Sequence, residues 1–528
     1  MTTLTGTGSL IRFILRRDRI RIPVWIAAIL ALVLSTATSV TGLYNTREEL
    51  SAAADIVGDN PAFVAMNGPA YAIETVGGRV AWEVGAFGLA VVALMSMFLV
   101  GRQTRAEEES GRSELVRAAV VGRHAATTAA LVVVTGVNLL LGALVSLILV
   151  GLDLPEAGSI AFGASIAGIG LVFAAITAVG AQVTEHTRGV YGIVGAVIGV
   201  SYVVRAAGDV GNGTLTWLSP IGWAQATRSF GDERWWPLLL SVTIAVVLAS
   251  VAFALTTRRD VGAGLVPPKP GPPTASRYLT SPLGLALRLQ RGSLIGWSAA
   301  LFLTGLAYGS IGQEVEKLVG DNEELSDLLA QAGGSFTDSF FATTLLMLAL
   351  ISSGFMIQSA LRLRSEETAG RAEPVLATPV GRWRWAGAHL TVAMVGTVIV
   401  IASGGLGTGL AFGVSTGDLG QVTRMLGAAL AHTPAVWVLG GFTVAIFGLV
   451  PRASAAGWAA LAGCFVVGIL GPLLDLPNSV SDASPFNHVP QVPAAAVTAG
   501  PLLALTLIAA ALAVVGLSAL RRRDLVTA

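Results

Sequence analysis

Twelve stretches of this sequence are apolar for the length of a membrane crossing: residues 23–43, 84–101, 124–151, 159–181, 189–206, 237–257, 293–312, 341–361, 385–413, 426–449, 454–474 and 498–520. A bilayer core about 30 Å thick needs roughly 20 apolar helical residues to cross it. Within the twelve, the single Asp, Glu, Lys or Arg is Arg205. Soluble amphipathic helices keep a polar face toward water, and these stretches offer none. In lipid, a continuous apolar segment satisfies its backbone groups by becoming a helix. The pattern predicts an all-α integral membrane protein with 12 transmembrane helices. Composition agrees, with 53% hydrophobic and 12% charged residues against about 25% charged in soluble domains.

Charge placement orients the chain. With the N-terminus in the cytoplasm, 26 of the 33 basic residues fall on the cytoplasmic side, and seven do not: Arg47, Arg79, Arg205, Arg228, Arg234, Lys317 and Arg424. That is a strong positive-inside bias. The opposite side carries an acidic loop with Glu314, Glu316, Asp321, Glu323, Glu324, Asp327 and Asp338. A multi-pass protein of the bacterial plasma membrane with both termini cytoplasmic is expected. The basic start and small residues at Thr36, Ala37 and Thr38 would suit a signal peptide. The first apolar stretch is nevertheless of spanning length, and its counterpart near Arg291 to Trp297 is internal, so it is read as a span.

Several functional classes fall away. A net charge of +1 gives nucleic acid nothing to bind. The one cysteine, Cys464, cannot make a disulfide framework or a thiolate metal site. The five histidines lack metal-ligand spacing. No nucleophile motif or convergent carboxylate pair lies in the spans, so no enzyme active site is expected. A P-loop requires Gly-Lys-Ser/Thr to bring a lysine to the phosphates. The two lysines do not qualify: Lys269 lies among prolines and Lys317 among acidic residues.

The chain is internally duplicated. Residues 105–123 read RAEEESGRSELVRAAVVGR and 364–382 read RSEETAGRAEPVLATPVGR, identical at 11 of 19 positions. Each half has Ser-Pro before its last span (Ser219-Pro220, Ser484-Pro485) and ends in Arg-Arg-Asp at 258–260 and 522–524. A first half over 1–260 and a second over 284–528 would be joined by a linker, 261–283. Its prolines over 264–273 favour an extended, hydrogen-bond-free chain. Equal span numbers and equal orientation make the repeat parallel, with an axis along the membrane normal.

The duplicated segment follows the second span of each half. It should continue that span as a helical stub, with Pro374 and Pro379 breaking the second copy into short pieces. Glu108 with Arg112, and Glu367 with Arg371, are spaced to pair along a helix at about 0.2–0.5 kcal/mol each. A solvated charged loop would explain one copy. Two copies that keep Gly and Glu as well as Arg suggest a surface that docks one kind of partner twice.

The pattern Arg-x-Glu-Glu-x-x-Gly-Arg-x-Glu-x-Val, with Pro-Val-Gly-Arg at 379–382, resembles the cytoplasmic coupling segment of ABC-2 type permeases, the membrane subunits of ATP-driven exporters. The doubled twelve-span form is similar to actinobacterial exporters of polyketide antibiotics, the tetronasin-resistance type. Tyr202 to Asp209, Leu449-Val-Pro-Arg452 and Ser484 to Pro490 fit the same likeness. The first copy departs from it, with Leu115 and Val120 where the second has prolines, which would make the two docking surfaces unequal.

The resemblance implies that Glu107, Glu108, Gly111, Arg112 and Glu114, with Glu366, Glu367, Gly370, Arg371, Glu373 and Pro379, couple the chain to ATPase subunits. Two copies of a separate ABC ATP-binding subunit would dock there, and no cofactor belongs to this chain, since ATP and Mg would lie on the partner. The cargo would be a hydrophobic or amphipathic small molecule such as an antibiotic, moved outward across the lipid bilayer. By the same likeness, 216–230 and 483–497, holding Trp217, Trp223, Phe230, Phe486 and His488, would be re-entrant caps of the exit path. Residues 8–20 form a basic amphipathic helix for the inner leaflet, which in such permeases also touches the ATPase.

Two residues in the spans are candidates for the pathway. Arg205, near the outer end of its span, could instead snorkel or pair with Asp209. His432 could instead satisfy carbonyls freed by Pro434. The competing architecture is a proton-coupled secondary transporter of the major-facilitator type, which shares the twelve spans and parallel halves. Its repeated loop should contain Asp-Arg-x-Gly-Arg and its spans buried carboxylates, and neither is found.

Overall fold

Hydropathy marks where lipid is tolerated, but helical hydrogen bonding continues into water, so the helices overrun the apolar stretches. The structure is a computed structural model that describes residues 3–524 apart from 45, 59, 261, 268–269, 321–335 and 471–476. Among the described residues there is no strand, and 11 helices are long and apolar enough to cross a membrane. The protein is an all-α integral membrane protein. The segment predicted at 84–101 is part of Val76–Gln103, and 293–312 is part of the 39-residue helix Pro282–Gly320. The segment predicted at 454–474 forms Ala456–Phe465 and a π-helical turn Val466–Leu470, then enters residues outside the description. The acidic stretch 321–327 also lies outside the described residues.

The chain forms two compact units, residues 1–270 and 271–528. In the first, helix Glu156–Val183 is central and packs against Val76–Gln103, Ala125–Gly151, Thr187–Val210 and Trp236–Thr256. Its closest neighbour is Ala125–Gly151. There Gly163 and Gly142 let the two backbones meet: a Cβ on Gly163 would overlap the Gly142 carbonyl and the Ser146 hydroxyl. Lipid tails are as apolar as side chains, so spans associate through such close packing of small residues. In the second unit the closest pair is instead Pro282–Gly320 with Arg382–Thr416. The two copies keep their span order and differ in which spans pack tightest.

The Pro-rich segment corrects one expectation. Leu265 and Val266 donate their N–H groups to the carbonyls of Gln182 and Val183, both at 3.0 Å. The last carbonyls of a helix lack intrahelical partners, and the end of Glu156–Val183 takes its donors from this segment. Its first residues are therefore docked on the first unit, not extended and free of hydrogen bonds.

Candidate functional site

The duplicated segment folds alike in both units. The first copy is helix Arg105–Glu109, a turn at Gly111 and helix Arg112–Arg117; the second is Arg362–Thr368, Gly370 and Ala372–Leu376. Gly111 and Gly370 sit at φ +74° and +67°. A glycine in this left-handed region just past a helix end is a common stop, because other residues are strained there. Pro379 lies in the turn between Ala372–Leu376 and Arg382–Thr416, but Pro374 is not a breaker. Pro374 is the third residue of its helix, where the missing N–H had no intrahelical acceptor to lose. Leu115, the aligned residue of the first copy, is the fourth residue of its helix. The copies differ in surface chemistry, not in backbone: Leu115 and Val120 are exposed in one, Pro374 and Pro379 in the other.

The expected charge pairs are rearranged by tertiary contacts. Arg112 and Arg371 pair with Glu107 (3.6 Å) and Glu366 (3.0 Å), not with Glu108 and Glu367. Arg362 adds a 2.7 Å bridge to Glu366, and Arg17 a 2.6 Å bridge to Glu107. Glu108 is gripped by both guanidinium ends of Arg259 at 2.9 and 2.7 Å and by Arg105 at 2.7 Å. Glu367 is gripped by both ends of Arg523 at 2.7 and 2.6 Å. Arg259 and Arg523 are the second arginines of the two Arg-Arg-Asp triplets. Arg123 and Arg382, which close the duplicated segment, donate to the backbone carbonyls of these same two arginines, Arg259 at 3.4 Å and Arg523 at 2.6 Å.

The candidate coupling residues thus divide in two. Glu107, Glu108, Glu366 and Glu367 face inward and anchor the segment. Gly111, Arg112, Glu114, Arg371, Glu373 and Pro379 are exposed, with half-exposed Gly370 between them. Sequence reasoning missed Arg259 and Arg523 as partners. The triplet marks the duplication in the sequence, but a separation of about 150 residues shows no pairing.

The N-terminal helix Thr7–Arg17 buries Ile14 and exposes Phe13 and Leu15. Beyond Arg17, its attachment is Asp18, fully buried, which accepts from Arg102 at 3.2 Å and from Gln103. Gly122 and His124 donate to the carbonyls of Thr5 and Thr3. The predicted amphipathic helix is fastened to the duplicated segment as well as shaped for a membrane surface. Nothing in the spacing marks Asp18 as a buried anchor.

Arg205 lies fully buried among several partners. It pairs with Asp209 at 3.3 Å and donates to the carbonyls of Val64, Ala65 and Met66, while its guanidinium stacks 4.7 Å over Tyr202. Those carbonyls end helix Pro61–Asn67. His432 stands at the break between Gly420–Leu430 and Thr433–Leu449, where its Nδ1 donates to the Ala428 carbonyl at 3.1 Å. It borders a cavity of about 570 Å³ with Ser339, Thr343, Asp482, Asn487 and Gln491. Of the aromatic segments, helix Pro220–Gln225 buries Trp223 and the 3-10 turn Pro485–His488 buries Phe486. Trp217 stacks at 4.8 Å on Trp236, and His488 is exposed.

Residues 279–521 match the family model described as the C-terminal domain of the multidrug efflux system permease Rv1217c. Over 525 residues the chain is 40% identical to the multidrug efflux system permease protein Rv1217c of Mycobacterium tuberculosis (strain ATCC 25618 / H37Rv), covering 98% of this chain and 95% of that protein.

Proposed function

This chain belongs to the family of multidrug efflux permeases that includes Rv1217c, and we propose that it is the transmembrane subunit of an ATP-driven exporter of hydrophobic or amphipathic small molecules, antibiotics among them. Two copies of a separate ABC ATP-binding subunit dock on the exposed tips around Glu114 and Glu373, on the cytoplasmic side with both termini. Closure of that ATPase pair rocks the halves 1–260 and 284–528, joined by 261–283, and releases cargo outward.

One observation carries this reading. Two segments far apart in sequence share a left-handed glycine turn, internal glutamate anchors and an exposed tip. Solubility alone asks for neither the shared backbone nor the buried anchors. The cargo class is supported by the twelve apolar stretches of the sequence, whose one cation, Arg205, is engaged by Asp209 and three carbonyls, leaving mostly apolar walls.

Affinity purification of the tagged chain from its native membrane tests the proposal. An ATP-binding subunit should elute with it at two per chain, and drug uptake into inverted vesicles should require ATP. Drug movement by the lone chain on a proton gradient, without nucleotide, would sink it.

A further inference from the structure

The last span of each unit is joined to the duplicated segment by the same device. At the end of Trp236–Thr256, Arg259 forks onto Glu108; at the end of Ala499–Arg522, Arg523 forks onto Glu367. All four side chains are at most 15% exposed. Each fork has two parallel N–H···O bonds, which fix orientation as well as distance. A second grip lies beside it, where Arg123 and Arg382 donate to carbonyls at the ends of the same helices. Cations are favoured there by the exposed carbonyls of a helix C-terminus.

The surroundings of the two forks are not alike. Arg105 bonds Glu108 and the carbonyls of Ala181, Gly262 and Ala263, whereas its counterpart Arg364 bonds the Ser454 hydroxyl. The tightest span pairs differ between units as well. The fork and the grip beside it are thus repeated where Arg105 and Arg364 find different partners.

We propose that Arg259 and Arg523 are positioning residues for energy coupling: they latch the docking segment to the last span, so that displacement of a tip moves that span with it. Chain continuity already ties the segment to the second and third spans of its half. The fork adds the sixth, which is remote in sequence, by a two-point contact beside the Arg123 and Arg382 grips. A lysine in place of the arginine keeps the charge but offers a point contact, not a planar fork. This inference rests on the proposed docking of an ATPase at the tips.

The test uses the full chain with its ATPase subunit in vesicles, measuring ATPase retained, ATP hydrolysed and drug moved. Arg259→Lys combined with Arg523→Lys should retain the ATPase while drug moved per ATP falls about tenfold, because the two-point geometry is lost. Arg523→Glu should fall as far, and adding Glu367→Arg should restore the ratio to within about threefold, as a coupled pair requires. Should Arg523→Glu fail to accumulate in the membrane, the lysine pair decides. A wild-type ratio in the lysine pair overturns the latch, as does failure of the swap to restore an otherwise well-inserted protein. Loss of the lysine pair from the membrane also overturns it, since the fork is then a folding element. Absence of ATPase from the wild-type preparation instead defeats the docking proposal itself.

Discussion

The Arg205 guanidinium stands 3.3 Å from the Asp209 carboxylate one helical turn on, and the two side chains are 0% and 1% exposed. Thr216 donates to the other carboxylate oxygen at 2.7 Å, and Tyr202 donates its hydroxyl to the Met66 carbonyl at 2.6 Å. The pair thereby ties helix Thr187–Val210 to the end of Pro61–Asn67.

Arg205→Ala should be the more damaging change at this pair. It leaves a buried carboxylate without its cation and carbonyls without donors, and breaking a buried pair costs about 3–5 kcal/mol. Asp209→Asn should cost less, because the amide oxygen still accepts from Thr216. Thermal unfolding of the purified protein in detergent should rank the two in that order.

Reversal of Glu114 and Glu373 to lysine should leave the fold intact. Both side chains are exposed, and surface changes away from special contacts alter stability by about 0.5 kcal/mol or less. Co-elution of the ATPase subunit should be lost while membrane insertion is kept. Undiminished co-elution would remove these tips from the docking surface.

Alanine at Gly111 or Gly370 isolates the backbone term. A Cβ at either position meets nothing within 4 Å, so the cost is the left-handed conformation alone, about 1–2 kcal/mol. Asparagine should be tolerated better than alanine. Limited proteolysis should show the segment opening in the alanine variants and closing again with asparagine.

Gly163→Ala and Gly136→Ala should have opposite signs. At Gly163 the methyl group would press on the Gly142 carbonyl, an overpacking that costs about 1–3 kcal/mol. At Gly136 nothing lies within 4 Å, so alanine should stabilise the helix by about 0.5–1 kcal/mol. Denaturant titration of the two variants beside the parent checks this.

The sequence by itself determined that the chain is helical and crosses a membrane repeatedly, because the penalty for unpaired polar backbone in lipid depends only on local apolar length. It also determined the duplication, which is a property of the letters. The tertiary structure decided which charges meet. Glu108 and Arg112 were within helical reach, yet Glu108 chose Arg259 and left Arg112 to Glu107. A two-bond fork in a shielded site outweighs an exposed pair on a short helix, and nothing in local spacing reveals a partner 151 residues away. The turn at Gly370 was likewise hidden behind Pro374, which reads as the stronger breaker. Whether a proline breaks a helix depends on where in the helix it falls, and the left-handed glycine before it had already set that position.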